Sequence, residues 1–158
     1  MESLLSIKAS PYVTMYLFGD RAEYLLKDYA TQSPLKNTYC LRFQEIICNI
    51  WHIMPRTYHK NRLAPSDVDI MLIIADEHFP DSLTRSRTFS KSATPIVIQL
   101  IKNEQVKAYC QEHDVFTVVL NSNQLKTFLE KLTRSVYNER KKKLTHMAIE
   151  RIKNDRLY

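Results

Sequence analysis

Apolar positions along the chain fall into two rhythms that succeed one another. Short runs are apolar at nearly every residue or at every second one, and longer stretches carry apolar residues three and four apart. The first rhythm belongs to strands and the second to helices. YVTMYLF at 12–18 is an aromatic and β-branched run that stops at Gly19, and Ala22, Leu25, Leu26 and Tyr29 follow at helical spacing, which predicts a βα unit. TYCLRF at 38–43 predicts a second strand. It leads into QEIICNIWHIM, where Ile46, Ile47, Ile50 and Ile53 make a helical stripe; a longer strand competes, because the stretch is rich in β-branched residues. VDIMLIIA at 68–75 is apolar almost throughout, as a strand covered on both faces must be. The polar stretch from Ser82 to Thr94 supplies the third helix. PIVIQLI at 95–101 and VFTVVL at 115–120 predict the fourth and fifth strands, with EQVKAYCQEH a helix between them. Leu125, Phe128, Leu129, Leu132 and Val136 then line one side of a long final helix. The proline-flanked segment 55–65 reads as a surface loop.

Five alternating units imply an α/β fold in three layers, because parallel neighbours need a right-handed crossover, usually a helix, between them. The expected architecture is flavodoxin-like: a five-stranded parallel sheet of order 2-1-3-4-5 with helices on both faces, followed by a C-terminal helical extension. At 158 residues one domain over 1–143 and a basic helical tail over 144–158 account for the chain. The apolar runs are far shorter than the ~20 residues a membrane span requires, and no basic, apolar and small-residue leader pattern opens the sequence. The expected address is cytoplasmic, with no membrane partner.

A single glycine, Gly19, excludes the glycine-rich phosphate cradles, which need several. Cys40, Cys48 and Cys110 are odd in number and embedded in apolar or helical sequence, so they read as plain thiols. The five histidines form no pair at metal-ligand spacing. The net charge is +6, and the excess is concentrated between Arg134 and Arg156.

The acids at the strand ends hold the candidate chemistry. In sheets of this kind the working crevice lies at the carboxyl ends of the strands. Asp20 closes the first strand and Asp76 the third, which are neighbours in the expected order. Converging carboxylates repel unless a cation lies between them, and hard oxygen donors suit Mg²⁺. A plainer reading makes Asp20 a helix cap and Asp76 part of a turn stopped by Pro80.

The stretch IIADEHFPDS resembles the phospho-acceptor segment of bacterial response-regulator receiver domains, in which a strand-end Asp is followed four residues later by Pro and then by Asp or Gly. The resemblance extends from about Tyr12 to Lys143 and implies Asp76 as candidate phospho-acceptor, with Asp20 and Asp76 as candidate Mg²⁺ ligands. The departures matter equally. Gly19 stands where the family has a first acid, Leu100 where the fourth strand ends in Ser or Thr, and Asn121 where the fifth ends in Lys. Leucine donates no hydrogen bond to a phosphoryl oxygen, and Asn lacks the lysine's charge. What the resemblance implies is a degenerate receiver that keeps at most a weak cation site and is not an enzyme. It would pair with itself or with another transcriptional regulator, as a dimerising module acting without the usual phosphorylation switch. A phosphorylatable regulator with Asp76 as acceptor is an alternative.

A second alternative is a nucleic-acid-binding regulator that uses the tail. Arg140, Lys141, Lys142, Lys143 and Arg151 are its candidate phosphate contacts. The Leu144–Thr145 pair is reminiscent of the start of a LuxR-type helix-turn-helix, but only 14 residues follow Leu144, too few for two packed helices. The lysine run also reads as the solvated end of a helix.

Overall fold

A computed structural model describes residues 9–20, 22–27, 29–33, 38–53 and 67–156; the expected loop at 55–65 and residues 157–158 of the tail lie outside them. Among the described residues the first elements are strand β1 (Tyr12–Phe18) and a one-turn helix α1 (Ala22–Leu26), followed by β2 (Thr31–Ser33), β3 (Thr38–Phe43) and β4 (Ile46–Ile53). Strand β5 (Ile70–Ile74), helix α2 (Asp81–Phe89), β6 (Thr94–Gln99), α3 (Glu104–Glu112), β7 (Phe116–Val119) and the 35-residue helix α4 (Ser122–Arg156) complete it.

The expected α/β class holds, and the helical stripe over 46–53 is corrected. That stretch is a strand, joined to β3 by the two-residue turn Gln44–Glu45 with Gln44 at φ 59°, as tight hairpins require of a turn residue. Ile46 and Ile50 lie four apart, a spacing compatible with a helix but also with one face of a strand. Burial alternates along the strand, with Ile46, Cys48, Ile50 and His52 buried and Ile47, Asn49 and Trp51 half-buried. The hairpin wins because β4 finds partners on both sides, antiparallel with β3 and parallel with β1.

Among the described residues the sheet therefore has seven strands in the order β2-β3-β4-β1-β5-β6-β7, and is mixed rather than purely parallel. This differs from the expected five-stranded order because the second unit contributes antiparallel strands at one edge. The parallel run is β4-β1-β5-β6-β7.

Side chains of the central strands alternate between two cores. Val13, Met15, Leu17, Ile70, Leu72 and Ile74 face α1 and α4, meeting Leu25, Leu26, Leu125 and Leu129. Tyr16, Phe18, Met71 and Ile73 face α2 and α3, meeting Leu83 and Cys110. On that side the rings of Phe18 and Phe89 meet edge to face at 5.4 Å. Each fully buried aliphatic or aromatic side chain contributes roughly 1.5–3 kcal/mol, which explains why β5, buried at all five positions, lies inside the sheet between β1 and β6.

Helix α4 runs without a break through residues 143 and 144. It starts at the carboxyl rim of the sheet and reaches the opposite rim at Arg140. There the guanidinium donates to both carboxylate oxygens of Asp69, at 2.7 and 2.6 Å, and to the carbonyls of Ser10 and Tyr12. Asp69 in turn accepts from the Thr14 amide at 2.9 Å. No helix among the described residues is long and apolar enough to cross a membrane.

Candidate functional site

The carboxyl ends of β1, β5 and β6 open onto a cleft of about 520 Å³, lined by Asp20, Asp76, Glu77, Leu100, Ile101 and Lys102 among others. Asp76 lies two residues after the end of β5, and its carboxylate is directed at backbone. Oδ2 accepts from the Asp20 amide at 3.1 Å and Oδ1 from the His78 amide at 2.8 Å. The two strand ends expected to be neighbours do meet, and they meet through an amide rather than through a pair of carboxylates.

Gly19 makes this approach feasible. Its φ of +132° is one that side-chain-bearing residues rarely adopt, and a Cβ there would lie 3.0 Å from Asp76 Oδ2 and 3.0 Å from Ile74 Cβ. Gly19 is thus required by the contact itself. The buried His52, one strand over on β4, donates its Nε2–H to the Gly19 carbonyl.

The Asp20 side chain turns to His78, with Oδ2 3.2 Å from Nε2, and Glu77 Oε1 lies 3.6 Å from the same nitrogen. Asp20, Glu77 and His78 form the group whose ligand atoms all fall within 4.8 Å of one another, and Asp76 is outside it. Mg²⁺ takes oxygen donors in a strict octahedron, whereas an imidazole beside two carboxylates is a mixed set better suited to transition metals. With both Asp76 oxygens on backbone amides, the residues present do not supply the two-carboxylate Mg²⁺ site that the resemblance implies.

Leu100 lines the cleft as an apolar, half-buried side chain, and Ile101 beside it is 83% exposed. Asn121 is exposed and serves helix α4: its Oδ1 accepts from the Gln124 amide at 3.0 Å, and Gln124 Oε1 accepts from the Asn121 amide at 3.0 Å. This reciprocal pair is a capping box. Its side chain is committed to the helix end. Gln99, 3% exposed at the end of β6, donates to Thr117 Oγ1 and accepts from the Asn103 amide, tying β7 and the start of α3 to the cleft floor.

The tail cations are distributed unevenly. Arg140 is held in the Asp69 pair with 28% of its side chain exposed. Lys141 lies over the Tyr137 ring at 5.3 Å, and Lys142 is 3.5 Å from Glu139. Lys143 and Arg151 are exposed. Of the three thiols, Cys48 is pushed up to about 12 by burial, only partly offset by a hydrogen bond with Thr133; burial also raises Cys110. Such thiols are inert at neutral pH.

Sequence spacing did not single out His78, Gly19 or Gln99 as site residues, since each acts through a contact from a different strand end. A histidine two places after a strand-end acid was the one local signal for His78. No protein-family model matches the chain, and no curated protein matches it.

Proposed function

We propose that this chain is a receiver-like regulatory module that binds a protein partner, either a copy of itself or another transcriptional regulator, and works without the phosphorylation switch. The parallel run β4-β1-β5-β6-β7, with helices on both faces and acids at the carboxyl rim, supports the flavodoxin-like reading. The observation that carries the functional reading is the Asp76 carboxylate, whose two oxygens are both engaged by backbone amides. Each oxygen shares charge with the amide it accepts from, which makes it a weaker nucleophile toward a phosphoryl group than a free carboxylate oxygen. Among the described residues Leu100 offers no hydroxyl to a phosphoryl oxygen, and Asn121 caps α4. Function then resides in surfaces rather than in group transfer, and the module is a non-enzyme of the cytoplasm. The nucleic-acid reading loses one of its candidate contacts, Arg140, which is held in the Asp69 pair.

Intact-mass measurement after incubation with acetyl phosphate and Mg²⁺ tests this, with Asp76→Asn as control. The expected result is an unchanged mass for both chains. A phosphate adduct on the natural chain that the variant lacks would overturn the reading.

A further inference from the structure

Among the described residues the two rims of the sheet carry opposite charge. At the carboxyl rim the cleft has an acidic wall of Asp20, Asp76 and Glu77 and an apolar lip of Leu100 and Ile101. Lys102 on its lining is paired with Glu104 at 3.3 Å. At the other pole α4 passes the Arg140–Asp69 clamp and continues to Arg156, sixteen residues or roughly 24 Å. Residues 141–153 hold five cations, Lys141, Lys142, Lys143, Arg151 and Lys153, against one acid, Glu150. Leu144, Ala148 and Ile152 are turned inward, while Met147 and Ile149 are exposed at 64% and 40%.

A basic helix with exposed apolar residues matches an acidic cleft with an apolar lip in both sign and kind. The clamp fixes the helix at the rim opposite its own cleft, so the match is only available between chains. A cleft of this volume accepts a few side chains of a helix rather than the helix whole. We propose that the α4 extension of one copy docks its cationic and apolar side chains on the carboxyl-rim cleft of a second copy, head to tail. This rests on the interaction-module reading and adds the partner and the surfaces. Because the two surfaces differ, the contact is heterologous, and association proceeds beyond two copies into rings or open chains.

Sedimentation velocity of the full chain, from about 1 µM to about 1 mM, gives the test. At low salt the mean mass is expected to grow with concentration past that of a dimer, and raising salt from about 50 mM to about 500 mM is expected to weaken association roughly tenfold. Asp20→Asn with Glu77→Lys disables the cleft; Lys142→Glu with Lys143→Glu disables the helix. Each double variant alone is expected to be monomeric. Mixed in equal amounts they are expected to form a species of two chains and no larger, since one intact cleft then meets one intact helix, a result that misfolded variants could not give. A natural chain that is monomeric throughout, a dimer indifferent to both sets of substitutions, or a mixture that stays monomeric overturns the head-to-tail contact. Any of these leaves the module reading standing on the phosphate measurement, which fails separately.

Discussion

Asp76 binds two amides that belong to different segments, and that dual attachment makes it a structural residue with a measurable worth. Hydrogen bonds to a charged acceptor contribute about 1.5–3 kcal/mol each, and both are lost in Asp76→Ala. The expected outcome is a loss of about 2–4 kcal/mol in urea unfolding, with Asp76→Asn losing less because its amide oxygen still accepts one of them. An alanine variant as stable as the natural chain would mean the contacts have no energetic weight. Cys48 gives a second test at this scale. Its thiol is held protonated up to about 12 in the fold, whereas the unfolded chain releases that proton near 9. The raised value means that its contribution is complete below pH 9 and is lost as pH rises toward 12, at about 1.4 kcal/mol per pH unit. Cys48→Ala is expected to flatten that part of the stability curve relative to the natural chain; an identical slope would show that the thiol is not shielded. At the residue scale the sequence marks Asp20 and Asp76 well, because each ends an apolar run. Gly19 and His78 were harder to see, because their roles depend on a strand more than fifty residues away.

Among the elements, α4 depends on one partly buried ion pair at its midpoint. Arg140 reaches Asp69 and two carbonyls at the sheet's amino rim, and removing either charge leaves the other half-buried without its partner. Arg140→Ala and Asp69→Ala are each expected to cost about 2–4 kcal/mol, and the double variant little more than either alone. A double-mutant cycle with coupling near zero would contradict the clamp. The reading of elements from sequence failed at β4, where isoleucines three and four apart satisfied a helical template while the same residues also alternated across a strand. What decided between them was a partner on each side, information that local periodicity does not contain. The strands β1 and β5 were legible because continuous apolar runs leave few other solutions.

For the whole molecule, hydrophobic rhythm specified the layered α/β class but not the seven-strand order, since β2 and β3 join an edge through a hairpin that the helical reading concealed. Charge at the two poles is likewise a property of the assembled molecule. It arises because α4 carries the basic residues past one rim while the acids of β1 and β5 gather at the other. If the rim acid is a fastening rather than a phosphoryl acceptor, the backbone amides it binds report it. Two-dimensional ¹H–¹⁵N spectra, recorded while beryllofluoride, a phosphoryl mimic that bonds to aspartate, is added with Mg²⁺, report on those amides. The account expects the Asp20 and His78 signals to stay where they are; a saturable shift of both, abolished by Asp76→Asn, would contradict it.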